Sequence, residues 1–185
     1  MRIIGGTFRG KKLNWLADEK TRPTPDRVKE NIFNILAARG VVFPQIGTVL
    51  DLFSGTGQMG LECLSRGAKN VVLNDPRPES QKIIGANLKS LPAASFSISC
   101  ADYLKCLGAH KSQKFSLIFL DPPFANPDFI SNSVAFIRAN KMLAPDGFII
   151  IEAENPNLAF PDFAVDSRKY GRETIYILNN IINQG

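Results

Sequence analysis

Asp121, Pro122, Pro123 and Phe124 stand in sequence at the end of the apolar run Phe115 to Leu120. Two consecutive prolines fix a backbone corner and remove two amide donors, while their carbonyl oxygens remain acceptors. Such a corner can hold the Asp121 carboxylate and the Pro122 carbonyl toward one exocyclic amino group, with Phe124 as a face for stacking a planar base. A base amine is a weak nucleophile because its lone pair is delocalised into the ring. Two acceptors on its hydrogens orient it and favour the charge that develops as it attacks a sulfonium methyl. No strong base is required, since the amino proton becomes acidic only after transfer and water can take it.

A second constellation lies upstream, in the stretch Thr48 to Asp75. Gly55, Gly57 and Gly60 permit a tight turn and close backbone approach, and the helix that follows presents unpaired amides. Alone, the turn fits a dinucleotide fingerprint, a methyltransferase-type loop or a plain turn; a Walker loop is excluded because no Lys-Ser or Lys-Thr follows. Asp75, after the second strand, can accept both ribose hydroxyls of an adenosine, as in NAD and S-adenosylmethionine sites. Asp51, before the loop, suits a cationic amino-acid tail and would repel a pyrophosphate. Asp102, just past the third strand, is placed either to accept an adenine amino group or to cap a helix.

These residues need a scaffold of alternating strands and helices. The apolar runs Val49 to Phe53, Val71 to Asn74, Phe96 to Cys100, Phe115 to Leu120 and Phe148 to Ile151 predict parallel strands. Helical patterns fall between them at Met59 to Ser65, Glu79 to Leu91, Tyr103 to Leu107 and Phe129 to Leu143, with Pro145 to Gly147 as a turn. An earlier helix starts at Thr24 or Asp26, with Val28, Ile32, Phe33, Ile35 and Leu36 on its apolar face and Arg22, Arg27 and Lys29 around its first turns. Those charges are either a solvated cap on a packing helix or part of a substrate or cofactor lid. Phe163 to Lys169 and Thr174 to Leu178 alternate like an antiparallel pair. One sheet covered on both faces follows, with right-handed crossovers. A small hairpin or arm is expected around Gly5, Gly6 and Gly10.

At 185 residues, with 44% apolar and 21% charged residues, the chain suits one globular domain. No run reaches the roughly 20 apolar residues of a membrane span. The first residues, MRIIGGTFRGKK, lack the apolar core of a secretory signal, so a cytoplasmic protein is expected. Cys63, Cys100, Cys106 and the single His110 form no metal-ligand spacing, and buried or half-buried thiols are expected. Net charge is +5, and residues 1–30 carry eight basic against four acidic side chains, so that segment supplies +4 of it. A polyanionic partner is therefore expected at the amino terminus. Trp15 is placed to stack on a base or to pack, and Glu152 and Glu154 read as an edge or turn.

RIIGG, RPTPDRVKE, DLFSGTG and DPPF together resemble the RsmD family, class I S-adenosylmethionine-dependent methyltransferases that modify the exocyclic N2 amine of a guanine in small-subunit (16S) ribosomal RNA. The likeness covers almost the whole chain. It implies a Rossmann-like α/β fold with a seven-stranded, mostly parallel sheet containing one antiparallel strand, made by residues 26–185, and a basic arm over residues 1–25 packed on that domain. It implies that Asp51, Phe53, Gly55 and Gly57 hold S-adenosylmethionine with Asp75 on its ribose and Asp102 at its adenine. Asp121, Pro122, Pro123 and Phe124 form the amine clamp. Arg2, Arg9, Lys11 and Lys12 meet RNA phosphate, and Arg22, Thr24, Asp26 and Arg27 lie near the mouth of the site. The implied partner is 16S ribosomal RNA in an assembled or assembling 30S subunit, bound by a monomer without a metal.

Two departures from the family pattern are visible: prolines at 76 and 78 after the second strand, and a short loop without basic residues after DPPF. A DNA adenine-N6 methyltransferase can use the same clamp but usually needs an added target-recognition region. A protein-glutamine methyltransferase usually begins its clamp with asparagine. Asp51, Asp75 and DPPF argue against a non-enzymatic RNA-binding module, and a nicotinamide-dependent dehydrogenase lacks its second substrate region.

Overall fold

The computed structural model describes residues 1–15, 24–89, 91, 95–123, 126, 128–154 and 157–181. Seven strands form one sheet: β1 (Thr48–Asp51), β2 (Asn70–Asn74), β3 (Ser95–Ser99), β4 (Phe115–Leu120), β5 (Leu143–Ala153), β6 (Phe163–Tyr170) and β7 (Glu173–Asn180). Their order is β3-β2-β1-β4-β5-β7-β6. All pairs among β1 to β5 are parallel, and β7 runs antiparallel to both neighbours, so it is the single reversed strand.

Period-two alternation within the strands builds two cores. Val49, Val71, Leu73, Leu117, Phe119, Phe148 and Ile150 face α1 (Asp26–Ala38), α2 (Gln58–Ser65) and α3 (Pro78–Leu88). Leu50, Val72, Ile118, Leu120, Ile149 and Ile151 face α4 (Tyr103–Ala109) and α5 (Asp128–Ala139). Helices on both faces explain why β1 and β4 are apolar on both sides. Among the described residues no helix is long and apolar enough to cross a membrane.

The amino-terminal piece is a hairpin-like arm. Ile3 N–H donates to Lys11 O at 2.9 Å, and Arg2 bridges Lys12 in antiparallel fashion. Ile3 and Leu13 are buried, and α2 holds the arm: Thr7 N–H donates to Ser65 O, Ser65 Oγ donates to Gly5 O, and Ile4 N–H donates to Glu62 Oε2. At Gly6, φ is +75° and a Cβ would lie 1.8 Å from Ser65 O, so only glycine permits this approach.

Several sequence expectations are corrected. The last helix ends at Ala139 instead of Leu143, because Lys141 adopts φ 50° and Met142 N–H reaches back to Ile137 O. That is a left-handed helix stop made by a lysine, without the glycine that usually signals it. Leu143 then already pairs with Phe115, and Pro145 to Gly147 bulge within β5 instead of preceding it. The third helix closes at Leu88, three residues early. Lys29 is no solvated cap: it is fully buried, 3.6 Å from Glu62. Of the three cysteines, Cys100 is exposed.

Candidate active site

Strand order reverses between β1 and β4, and a crevice opens at the carboxyl ends of strands at such a switch point. A cavity of about 330 Å³ lies there. Asp51, Phe53, Gly55, Asp75, Asp102, Asp121, Pro122 and Pro123 all line it. Gly57 does not: it sits behind the wall as the left-handed N-cap of α2. Phe124 and Arg22 lie outside the described residues.

Each carboxylate is placed by a different strand end. Asp51 closes β1 and is 3% exposed; its Oδ2 accepts from Gly60 N–H at 2.9 Å. Gly60 lets α2 approach β2 closely: a Cβ would come within 2.5 Å of Leu73 Cδ2, so that side chain would have to shift. Burial raises the Asp51 pKa to about 7; the Gly60 amide opposes the rise and the nearby Asp75 charge adds to it. Asp75 follows β2 and accepts from Gly55 N–H at 3.0 Å, which ties the glycine turn to the next strand. Asn74 secures this region: its Nδ2 donates to Leu52 O and Ala101 O, joining the ends of three strands. Asp102 caps α4 by accepting from Leu104 N–H at 3.0 Å while still lining the cavity. Both roles considered for it in the sequence are thus geometrically open.

Asp121 leaves β4 at the Pro-Pro corner and points into a strongly anionic region. Burial, then the charges of Glu152, Asp51 and Glu173, raise its pKa well above the usual carboxylate range. An aromatic wall lines the same cavity. Tyr103 and Phe129 stack at 4.4 Å between centroids, with Phe53 5.6 Å from Tyr103.

Sequence reasoning missed Tyr103 and Phe129 as cavity residues, and also Gln58, Arg77 and Glu152. Gln58 Oε1 is buried at the start of α2, lines the cavity and has no hydrogen-bond partner among the described residues. Glu152, read as edge or turn, is buried and accepts from Thr24 Oγ1 at 3.0 Å. Its signal was positional: it ends an apolar run beside the run that ends in Asp121. On the arm, Met1 and Trp15 reach the rim, with Trp15 49% exposed. Arg9, Lys12 and Arg27 are exposed, Lys11 is half-buried, and Arg2 pairs with Asp26 at 2.9 Å.

The sheet order with one reversed strand, the glycine turn after β1 and the acidic strand ends around one cavity define a Rossmann-like class I methyltransferase fold. Within that class the chain belongs to the RsmD family: a family model described as conserved hypothetical protein 95 matches residues 1–179. It is 37% identical over 158 residues to ribosomal RNA small subunit methyltransferase D of Escherichia coli K12, covering 85% of this chain and 76% of that one. The Haemophilus influenzae protein of the same name is 35% identical over 159 residues, covering 83% and 79%. Among solved structures, the yhhF protein of Escherichia coli superimposes with a TM-score of 0.84 at 29% identity over 97% of each chain.

Proposed function

We propose that this chain transfers a methyl group from S-adenosylmethionine to the exocyclic N2 amine of a guanine in 16S ribosomal RNA. The observation that carries this reading is the meeting in one cavity of the Asp121-Pro122-Pro123 corner on β4 with Asp51 and Asp75 on β1 and β2. The family relatives named for the small ribosomal subunit direct the amine to that RNA.

The residues present fit the cofactor. It supplies an electrophilic methyl on a sulfonium centre, together with a cationic amino group and an adenosine. Asp51 and the unpartnered Gln58 carbonyl offer acceptors for the cationic end, Asp75 for the ribose hydroxyls and Asp102 for the adenine amine. Asp121 and the Pro122 carbonyl take the two amine hydrogens and aim the nitrogen lone pair across the cavity. The aromatic wall keeps water from the reacting atoms. Arg9, Lys11 and Lys12 on the arm, with Arg2 and Arg27, supply phosphate contacts that position the RNA without reading it. A base extruded from a loop costs less to present than a paired one, which suits a loop target in an assembled or assembling 30S subunit.

The test is methyl transfer from labelled cofactor to undermethylated small subunits, their naked RNA and unmethylated duplex DNA, followed by nucleoside mass spectrometry. N2-methylguanosine from the subunits is expected. Label in N6-methyladenine of DNA would replace the substrate assignment while sparing the clamp.

A further inference from the structure

Glu152 has a surrounding that the proposed transfer does not use. In the parallel pair β4–β5, Leu120 stands opposite Ile151, so Asp121 and Glu152 are the next residues along adjacent strands. Neighbouring parallel strands run about 4.8 Å apart, and residues in register point to the same face. Two residues earlier, Phe119 and Ile150 pair and both enter the α1-side core, and Ile32 of α1 joins them in lining the cavity. Asp121 and Glu152 therefore stand side by side on the α1 side of one pocket.

Glu152 is also held. It is only 9% exposed, and Thr24, 4% exposed and just ahead of α1, donates its hydroxyl to Oε2. Glu173 on β7, another acid, shares a side-chain hydrogen bond with it, and Asp121 stands beside it. A carboxylate kept this far from water in an acidic cluster gains from each further donor that reaches it.

On the edge of guanine the N2 amine and N1–H are adjacent donors, whereas adenine carries a lone pair at N1. An enzyme that takes a base from the stack reads this edge by hydrogen bonds. A base whose amine meets Asp121 can turn its N1 edge toward the neighbouring strand, where Glu152 stands. We infer that Glu152 determines base specificity by accepting the N1–H of the target guanine and repelling a base with a lone pair there, an inference that rests on the guanine-N2 reading above. Thr24 acts as the positioning residue that fixes the carboxylate. Thr24 then has a chemical reason to return to the site. Burial and Glu173 raise the Glu152 pKa to about 7, and a donor facing it favours the ionised form.

The experiment compares small subunits reconstituted with guanine or 2-aminopurine at the modified position. The analogue keeps the amine at C2 but presents a lone pair at N1. Wild-type protein is expected to favour guanine by roughly 10- to 100-fold in kcat/KM, the discrimination of one good base contact. Glu152→Gln, whose amide can donate to N1, should narrow the ratio to within about threefold. Thr24→Val should lower it in the same direction. The ratio is internal to each variant, so a loss of folded protein cancels. Equal losses on both bases would overturn the inference and leave the guanine-N2 reading intact. Failure of the wild-type protein to form N2-methylguanosine would instead overturn that reading.

Discussion

The Arg77 guanidinium grips the carboxylate of Asp75: Nε lies 3.0 Å from Oδ1 and Nη2 3.2 Å from Oδ2. Asp75 is the group proposed to take the ribose hydroxyls, so its two oxygens are already engaged by a side chain two residues on. Arg77 itself lines the cavity. Cofactor binding must therefore exchange guanidinium contacts for hydroxyl contacts. Asp75→Ala should weaken cofactor binding by about 10-fold or more, the value of hydrogen bonds to a charged acceptor. Arg77→Ala should tighten it or leave it within about threefold, because a partly exposed pair is worth little. Calorimetric titration checks both, and a large loss in Arg77→Ala would make the arginine part of the binding surface.

Glu62 is the hub between the arm and the body. It is fully buried, accepts from Ile4 N–H at 2.8 Å and from Arg66 Nε at 2.9 Å, and faces the equally buried Lys29. Burial lowers the Lys29 pKa and Glu62 is the main influence opposing it. Glu62→Ala leaves a buried ammonium without its carboxylate and should destabilise the protein by about 3–5 kcal/mol. Urea unfolding measures that loss. Adding Lys29→Met should recover a large part of it, and an additive double variant would show that the two charges act separately.

Much of this molecule can be read from its sequence because the site sits at strand ends, where apolar runs stop at Asp51, Asn74-Asp75 and Asp121. Periodicity locates such points well. The missed parts have physical reasons. The end of α5 is stopped by Lys141 at positive φ, a conformation with no compositional flag in a lysine. Lys29 looks like surface charge until α2 is known to bring Glu62 against it. Glu152 becomes chemical only through register, because nothing local says that β5 lies beside β4 or that Thr24 returns to it across the fold.

Stability should depend on pH through Glu152. Its pKa rises from 4.5 to about 7 on folding, so between those values the folded chain holds a proton that the unfolded chain has released. Its contribution is most favourable below the unfolded value and is lost as pH rises to about 7. Glu152→Gln should therefore be more stable than wild type at about pH 8, by on the order of 2–3 kcal/mol, with the advantage shrinking toward about pH 5. Thermal unfolding across that range tests it. An advantage that grows on acidification would reverse the assigned cause. Asp51, raised by the same burial, leaves part of the slope in the variant.

Neutralising Arg9, Lys11 and Lys12 together should flatten the salt dependence of RNA binding. If each meets one phosphate, the slope of log K against log salt falls in magnitude by roughly 2–3. The same variant should keep its affinity for the cofactor, whose cavity these side chains do not line. An unchanged slope would place the phosphate contacts elsewhere on the surface.

Cofactor binding should release protons. Burial raises the Asp51 pKa to about 7, burial and then Glu152 raise that of Asp121, and burial and then Glu173 raise that of Glu152. A cation entering among them favours their ionised forms, so protons leave as it binds. The binding enthalpy measured in buffers of different ionisation enthalpy should therefore vary, with a sign that reports release near pH 7. Release should decline at about pH 9, where Asp51 and Glu152 are already ionised. Asp51→Asn should reduce it near neutrality and also weaken binding, since it removes a charge from the proposed cationic end. Uptake of protons, or release untouched by Asp51→Asn, would show that the positive group does not sit against β1. A cofactor-bound site with its carboxylates ionised is also one in which Asp121 can accept from the target amine. On these proposed roles, the same proton release would link filling of the cofactor pocket to readiness of the clamp.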